Sequence, residues 1–403
     1  MQKKSTGPLS GLKILDFSTM MAGPYCGRWL SDLGADVIKV ESPEGDYMRS
    51  RPPLRNGQSA YFGYLNSGKK SIVLDLKNPQ AIPLVKKLIE QCDILIEGFR
   101  PGVMQRLGLD YETLKPSCPG LIYCSISGYG QSGPKARNPA YAAIVHADTG
   151  FDTAWQDSQP VKDTPPTCGI QIADCLAATF STIAIQSALL SKAISGSGQR
   201  IDLSLAEGML SLMPMQIVQS QFPSENSQTL YQPIKTRNGF IMIAPITPKN
   251  FLDLCTAIER EDLKTDSRFI SPLERIKNWS LIISIMESWA SQYDTQACLD
   301  KLVSIGVPAS EYKSVADTFT DPQFNQRGFY QKASDAAGEF LLGRLPFVSA
   351  DLHRQDTSFT PTVPSLGEHT KEIFQTFLSL TDTEFSQLSS AGVFGAKLPV
   401  TTQ

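Results

Sequence analysis

Hydrophobic residues in the first half of the chain occur in short runs, separated by stretches of helical length. Short apolar runs bounded by turn residues are typical of strands buried on both faces. Helical stretches at Pro79–Gln91 and Pro101–Leu107 separate some of them. The alternation predicts an α/β fold with an open parallel sheet, in which ligands bind beyond the carboxyl ends of the strands. The predicted strands are Leu12–Phe17, Asp36–Glu41, Ser71–Leu76, Asp93–Glu97, Leu121–Ser127 and Arg200–Leu205.

The first two apolar runs predict a βαβ unit. Ser18–Gly23 is a turn of mostly small residues, and Pro24 suits the first position of the helix that follows it. That helix is expected to end near Gly34, just before the second strand. Parallel strands joined in this way almost always cross over with right-handed geometry.

The pattern changes after residue 220. Residues 221–237 are polar and turn-rich, which predicts a linker, and a second unit is expected over 238–325. Residues 326–345 predict another connection, followed by a last segment, 346–403. The elements predicted in these parts are strand Gly239–Ala244 and helices Lys249–Glu259, Ser280–Tyr293, Thr295–Ile305 and Glu368–Leu378.

Composition and charge narrow the function classes. The net charge is −3, with Lys and Arg spread along the chain, so neither nucleic acid nor an anionic membrane is an expected partner. The amino-terminal lysines precede no apolar stretch and no run approaches the length of a transmembrane helix, so neither a secretory signal nor a membrane span is predicted. The eight cysteines form no C-x-x-C pair, which predicts reduced thiols in a cytoplasmic protein.

Common cofactor motifs are missing or out of place. Residues 128–133 satisfy G-x-G-x-x-G after a strand, but Pro134 and Pro139 follow, so the pattern does not open a helix. The first strand–helix turn, where a dinucleotide fingerprint belongs, lacks it. The three histidines are far apart in sequence, and no metal pair is predicted. No permanently bound cofactor or metal is therefore expected.

Asp174 begins an apolar stretch of helical length that ends at Gly196. At the predicted N-cap position, its carboxylate can accept hydrogen bonds from free backbone N–H groups and serve only as a structural cap. Its neighbours Ala173, Ala177 and Ala178 are small, however, which leaves room for a ligand beside a carboxylate that could act as a nucleophile. From these residues alone, both interpretations remain open.

Ten segments, taken in order, resemble the family III CoA-transferases of the CaiB/BaiF type over nearly the whole chain. The resemblance implies a large Rossmann-like domain built from both chain ends (1–220 and 346–403), a small middle domain and an interlocked homodimer. The segments are GLKILDFSTMMAGPYCGRWLSDLGADVIKVESP, NSGKKSIVLDLKNP, ILIEGFRPGVMQRLGL, SISGYGQSGP, GIQIADCLAATFSTIAIQSALL, GQRIDLSLAEGML, DSRFISPLERIKN, IGVPASEY, DPQFNQRG and PSLGEHT.

This resemblance implies that CoA moves from an acyl-CoA, succinyl-CoA for example, to a carboxylic acid. Asp174 is then the catalytic carboxylate, and an aspartyl-CoA thioester is the expected intermediate. Coenzyme A is a co-substrate, and the partners are acyl-CoA and small carboxylic acids. Each tetrahedral intermediate needs hydrogen-bond donors for its oxyanion, and nearby backbone N–H groups are the expected source.

The resemblance also implies which residues contact CoA or the acyl group: Leu74, Lys77, Phe99, Arg106, Met21 and Tyr141. Leu74 and Phe99 could instead belong to the core, and Lys77 and Arg106 could simply be solvated. Oxalate-using members carry a Gln where Met21 stands, and the glycine-rich lid of those members is missing between Pro223 and Asn238. These departures predict an aliphatic or aromatic acyl chain of several carbons near Met20 and Met21 rather than oxalate or formate.

Two other functions remain open. An α-methylacyl-CoA racemase has the same fold and Asp, but needs a second acid/base group, a His where this chain has Tyr141. His146, five residues further on, is interpreted as a packing residue. A catalytically silent CoA-binding subunit of a hetero-oligomer is the other alternative, and the presence of Asp174 argues against it.

Overall fold

The computed structural model describes residues 7–157, 163–223, 231–349 and 360–395. Its central feature is a six-stranded parallel sheet. Each strand overlaps one of the predicted runs, which confirms the α/β class and the open parallel sheet. Numbered along the chain, the strands are β1 (Lys13–Asp16), β2 (Asp36–Glu41), β3 (Lys70–Val73), β4 (Ile94–Glu97), β5 (Ile122–Ser127) and β6 (Arg200–Ser204).

The spatial order of the strands is β3-β2-β1-β4-β5-β6. The chain therefore starts in the middle of the sheet, moves outward through β2 and β3, and returns to place β4 beside β1. Between β1 and β4 the direction of winding reverses. In open α/β sheets, ligands bind in the crevice outside the carboxyl ends of the strands at such a switch point.

Helices cover both faces of the sheet, and their apolar faces form two hydrophobic cores. The helices before residue 222 are α1 (Ala22–Asp32), α2 (Ala60–Asn66), α3 (Ala81–Ile89), α4 (Val103–Arg106), α5 (Tyr111–Leu114), α6 (Ala142–Asp148), α7 (Phe151–Asp157), α8 (Ile172–Ser195), α9 (Leu205–Ser211) and α10 (Pro214–Gln221).

The structure divides into two compact units, Met1–Ile217 with Gln323–Gln403, and Val218–Pro322. In its described residues, the smaller unit has four helices and a three-stranded antiparallel sheet, and it has its own hydrophobic core. Its helices are α11 (Pro248–Ala257), α12 (Pro272–Lys277), α13 (Trp279–Ala290) and α14 (Thr295–Ile305), and its strands are β7 (Ile234–Lys235), β8 (Phe240–Ile243) and β9 (Ala309–Glu311).

The segment 326–345, for which the sequence predicts a connection, mostly forms a hairpin. Its strands, β10 (Tyr330–Asp335) and β11 (Gly338–Gly343), follow helix α15 (Pro322–Gln326) and belong to the larger unit. Helices α16 (Thr370–Leu378) and α17 (Asp382–Ser390) pack in the same core as β1 and β4, through Phe374 and Phe385. Of the predicted linker 221–237, residues 224–230 lie outside the described residues.

Helix α8 differs from expectation in two respects. It begins at Ile172 with Gln171 as its N-cap, so Asp174 is the third helical residue and not the cap. It is also long and apolar enough, by length and composition, to cross a membrane, although no run of that kind was predicted. One face of α8 packs into the core through Ala173, Ala177 and Ile185, as expected for a core helix.

Candidate active site

The first turn of α8 is capped from another helix. His146 on α6 is buried, and its Nε2 accepts a hydrogen bond of 3.2 Å from the N–H of Ala173. Gln171, at the N-cap, makes no side-chain capping bond. The imidazole thus fills the capping role that the sequence assigned to Asp174, and the Asp174 carboxylate is available for other contacts.

The carboxylate of Asp174 accepts hydrogen bonds from the backbone N–H of Ala22 and from its own N–H. Ala22 is the first residue of α1, so the amino-terminal ends of two helices meet at one carboxylate. Burial raises the pKa of Asp174 from 3.8 to about 6, while the two hydrogen bonds oppose that shift. At pH 7, above this pKa, the carboxyl is mostly ionised, as a nucleophile requires.

The turn that supplies the Ala22 donor is tight. A Cβ on Gly23 would lie 2.2 Å from the Cβ of Ser18, so only glycine permits this approach. Met20 has a positive φ of 68°, a conformation that bulky residues rarely adopt. Backbone strain of this kind is maintained only where the surrounding contacts require it, and it is common at functional sites.

A buried ion network lies beneath this turn. Lys69 Nζ is 2.9 Å from Asp16 Oδ2 and also donates to the carbonyl of Pro24 at 2.7 Å. Lys39 Nζ lies 2.8 Å from Asp46 Oδ2 and donates to the carbonyl of Ser18 at 2.8 Å. The two ammonium groups therefore bind main-chain carbonyls on both sides of the turn, and we infer that they fix its position.

Aromatic side chains surround Met21 beside Asp174. Tyr61, on α2, donates its hydroxyl to Met21 Sδ at 2.8 Å. Burial and the nearby Asp174 raise the pKa of Tyr61 to about 12. Tyr25 and Tyr64 pack in the same cluster. Met21 thus lies next to the Ala22 N–H, among largely apolar groups.

The proposed CoA contacts Leu74, Lys77, Phe99 and Arg106 follow β3 and β4 at the carboxyl edge of the sheet. Leu74 is buried in the core and its N–H donates to the carbonyl of Glu41, which fits the alternative that it is a core residue. Lys77 and Arg106 are exposed, and Phe99 is half-buried.

Glu97 orders the loop that carries Phe99. Its side chain is buried at the end of β4, and Oε2 accepts a bond of 2.9 Å from the Phe99 N–H. Burial raises the pKa of Glu97 to about 6, although the bonds from Ser125 and Phe99 oppose this.

Tyr141, which the resemblance places at the acyl group, stands at the surface of the described chain. It is the N-cap of α6 and 65% exposed. A Cβ on Gly128 would lie 2.3 Å from the Cβ of Ala140, so a close contact with the end of β5 fixes this segment. His146 fits the packing interpretation, because the Nε2 lone pair that a base would use is already bonded to Ala173.

Sequence reasoning missed Tyr61, Glu97 and the buried lysines Lys39 and Lys69. Tyr61 lies five residues before Asn66, the start of a segment that carried the family resemblance, and no motif marked it. A lysine inside an apolar strand, as at Lys39, is a sign of a buried pair, because a buried ammonium needs a partner. No group of His, Cys, Asp or Glu able to hold a metal is found among the described residues.

Known proteins of similar sequence match nearly the whole chain. The sequence model of CoA-transferase family III matches residues 9–370. The chain belongs to this family. Among other CoA-transferases, it is similar to the succinate–glutarate CoA-transferase of Agrobacterium fabrum, with 32% identity over 91% of this chain and 94% of the relative. It is also 34% identical to the acetyl-CoA:oxalate CoA-transferase of Acetobacter aceti, over 91% of this chain and 94% of that one.

Several other matched CoA-transferases are named for succinyl-CoA as one substrate. A solved structure, a CaiB/BaiF family protein from Brucella suis, superposes with a TM-score of 0.77 at 34% identity, covering 92% of this chain and all of the other. The family III enzyme described here thus has the fold of its solved relatives.

Proposed function

We propose that this CoA-transferase exchanges CoA between an acyl-CoA and a carboxylic acid through an aspartyl-CoA thioester on Asp174. The observation that carries the proposal is the position of this carboxylate, partly buried at the amino-terminal ends of α1 and α8, with the Ala22 N–H directed at it. Ionised but poorly solvated, it is a stronger nucleophile than a carboxylate in water.

In the first half-reaction, an Asp174 oxygen attacks the carbonyl carbon of the donor thioester. The tetrahedral intermediate collapses with cleavage of the C–S bond, which gives a mixed anhydride and the CoA thiolate. The thiolate then attacks the aspartyl carbon of the anhydride. The C–O bond breaks, the donor acid leaves as its carboxylate, and the aspartyl-CoA thioester remains.

The second half-reaction runs in reverse with the acceptor. Its carboxylate attacks the aspartyl thioester and expels the thiolate, which then attacks the acyl carbon of the new anhydride. Asp174 is released as a carboxylate and the acceptor leaves as its CoA ester. No proton is gained or lost overall, so the site needs no general acid or base.

Each intermediate carries negative charge on a former carbonyl oxygen. The Ala22 N–H and the dipoles of two helix ends are the donors we propose for it when the aspartyl carbon is attacked. Removing one such donor typically costs about 100- to 1000-fold in rate. The ion network of Lys39 and Lys69 then acts through position alone, by holding the turn that carries Ala22.

For the substrates, we propose succinyl-CoA as a donor, in line with the names of several relatives. The apolar surroundings of Met21 favour an acid of several carbons, at about 0.8 kcal/mol per buried CH₂. CoA itself we place along the edge carrying Lys77, Phe99 and Arg106, in a cytoplasmic enzyme.

The partner we propose is a second copy of the chain, interlocked with the first. The outward face of α8 exposes Ile183, Leu190 and Ile194, the last two at 71% and 91%. Spaced seven and four residues apart, these side chains lie on one stripe of the helix. An apolar stripe of this kind on a soluble enzyme is expected to be covered by a partner.

The racemase alternative is less compatible with the geometry. Racemisation needs a base on each face of the acyl α-carbon. Tyr141 is exposed, and the Nε2 of His146 already accepts a hydrogen bond from Ala173. Neither Tyr141 nor His146 therefore supplies the second acid/base group that racemisation needs. A buried carboxylate with a raised pKa lowers the stability of the protein at neutral pH, where it is charged. If the chain were a catalytically silent subunit, nothing would explain why it keeps this carboxylate.

The test is to trap the intermediate. Protein incubated with succinyl-CoA and no acceptor should acquire a hydroxylamine-sensitive adduct on the peptide that contains Asp174, detected by mass spectrometry. Asp174→Asn should lose the adduct and turnover. Cys175→Ala is the matched control, because a neighbouring thiol could also carry a hydroxylamine-sensitive acyl group. An adduct that disappears in Cys175→Ala and persists in Asp174→Asn would refute the proposal.

A further inference from the structure

Two of the proposed CoA contacts are each held by an acidic residue two positions earlier in the chain. Asp75, just after β3, accepts a hydrogen bond of 3.0 Å from the N–H of Lys77. Glu97, the last residue of β4, accepts one of 2.9 Å from the N–H of Phe99. The two parallel strands end at the same edge of the sheet, so the same local arrangement recurs where we place CoA.

Glu97 differs from Asp75 in its burial. Only 3% of Glu97 is exposed, whereas Asp75 is half-buried. Ser125 stands opposite Glu97 on β5 and donates its hydroxyl to the same side chain. Burial raises the pKa of Glu97 to about 6, although its hydrogen bonds and the charge of Arg200 oppose this shift. At neutral pH the charge therefore costs stability, and an amide or apolar side chain would fill this position at less cost.

The loop that follows Glu97 is packed into the crevice at the switch point of the sheet. A Cβ on Gly98 would lie 3.6 Å from the Cβ of Ser18 and 3.9 Å from the carbonyl oxygen of Ile126, which are ordinary packing distances. Ser18 begins the turn that supplies the Ala22 N–H, and Ile126 lies on β5. The loop after β4 is thus in contact with the turn of the reaction centre.

The position of Phe99 also affects Arg106. Arg106 is the last residue of α4, which begins shortly after Phe99. The N–H of Val103, the first residue of that helix, donates to the carbonyl of Arg100 at 3.1 Å, so the helix continues directly from the loop. A backbone shift at Phe99 would therefore be transmitted to Arg106.

We infer that Glu97 is a positioning residue for CoA binding: its carboxylate holds the loop of Phe99 in the conformation that contacts the acyl-CoA. This inference rests on the proposed function and on the place it gives to CoA. Because the Glu97 side chain is buried, its effect on the ligand passes through the Phe99 N–H. An ionised acceptor forms the stronger hydrogen bond, so the charge of Glu97 matters as well as its shape.

The test separates the charge of Glu97 from the shape of its side chain. Glu97→Gln keeps the shape and one acceptor oxygen but loses the charge, and Glu97→Ala removes the acceptor. Glu97→Asp keeps the charge and, as Asp75 does, can accept from the N–H two residues on. The matched control is Asp266→Asn, because Asp266 in the smaller unit forms the same kind of bond, of 2.9 Å, with the N–H of Arg268.

Three measurements are made at pH 8, where Glu97 is ionised. Calorimetric titration with CoA gives the affinity for the ligand without its acyl group. Single-turnover formation of the Asp174 adduct, followed against succinyl-CoA concentration, separates binding from the chemical step. Urea unfolding gives the stability of each variant.

We expect CoA to bind Glu97→Gln about 3- to 10-fold more weakly than the wild type, and Glu97→Ala about 10- to 100-fold more weakly, as for the loss of a charged hydrogen bond. Glu97→Asp should restore the affinity to within about threefold of the wild type, because a charged acceptor is present again. The control should match the wild type. The maximal rate of adduct formation should change less than the affinity, because the bond acts on binding.

Stability distinguishes a positioning role from a purely structural one. Glu97→Gln should be at least as stable as the wild type at pH 8, because the charge that it removes is disfavoured in the native state. A side chain needed only for the fold would lower stability and affinity together. Glu97→Gln and Glu97→Asp decide the question even if Glu97→Ala does not fold.

Two outcomes overturn the inference while the proposed function stands: an unchanged CoA affinity in Glu97→Gln and Glu97→Ala, or weaker binding that occurs only together with a lower free energy of unfolding. A wild-type protein that binds no CoA and forms no adduct on Asp174 would overturn the proposed function, and this inference with it.

Discussion

Replacing Asp174 by Asn should make the protein more stable while abolishing turnover. The carboxylate is ionised at neutral pH although its surroundings disfavour the charge, as its pKa of about 6 indicates. Asn has nearly the same shape, and its side-chain oxygen can still accept from the Ala22 N–H. The substitution therefore removes the unfavourable charge and keeps the hydrogen bond.

The magnitude follows from linkage between protonation and folding. The native pKa of Asp174 lies about two units above the 3.8 expected in the unfolded chain, and each unit corresponds to about 1.4 kcal/mol. Because the native pKa of Asp174 is raised, its carboxyl contributes fully to the free energy of unfolding below pH 4, and this contribution is lost as pH rises through 6. At pH 8 we expect the free energy of unfolding of Asp174→Asn to exceed that of the wild type by about 1–3 kcal/mol, where the lower values allow for partial solvent exposure. Below pH 4 the two proteins should be equally stable.

Urea unfolding followed by circular dichroism, at intervals from pH 4 to pH 8, measures this difference. Asp110→Asn is the control, because the native pKa of Asp110 is shifted in the opposite direction. Despite partial burial, hydrogen bonds from Thr113 hold the pKa of Asp110 below its usual value, so its charge stabilises the native state above the unfolded pKa. That variant should be no more stable than the wild type at pH 8. A stability gain in Asp174→Asn that does not vary with pH, or no gain at pH 8, would refute the assigned environment.

Two further predictions concern the ion network and the partner chain. Lys69→Met should destabilise the protein by about 3–5 kcal/mol in urea unfolding, because it leaves Asp16 buried without its cation. Lys70→Met, at the neighbouring and partly exposed lysine, should cost less than about 1 kcal/mol. Equal losses of stability in the two variants would contradict the network's role. If the homodimer is interlocked, mixing tagged and untagged protein should give no mixed dimers without unfolding, and mixed dimers forming within minutes at low concentration would count against it.

The fold could be predicted because its signals are local. The strands of the sheet are short apolar runs, and helix α14 was predicted with its observed bounds, Thr295–Ile305. The hairpin of β10 and β11 was missed because its strands alternate only weakly between apolar and polar residues. The N-cap of α8 was placed at Asp174 because Asp is the better capping residue by sequence. A histidine 27 residues away makes that bond instead, and no local pattern can show this.

The site was only partly predictable, for a related reason. Asp174 and Met21 stand in recognisable segments, so the resemblance marked them as candidates. The groups that surround the Asp174 carboxylate come from other parts of the chain: the Ala22 N–H from the start of α1, Tyr61 from α2, and Lys69 from the residue before β3. Their roles depend on which strand lies beside which. A sequence read in order cannot supply that arrangement before the sheet order is known.

The order of the strands explains why a buried ion network occurs in this part of the fold. The chain reverses its winding between β1 and β4, so the turn after β1 has an open crevice beside it. Such a turn would be free to move, yet the Ala22 N–H must meet an oxyanion at hydrogen-bond distance for the donor to be effective. Lys39 and Lys69 bind the turn's carbonyls from within the sheet, and each is paired with a buried carboxylate. Buried ion pairs contribute little to stability in themselves, so their value here is the position they impose on the reacting groups.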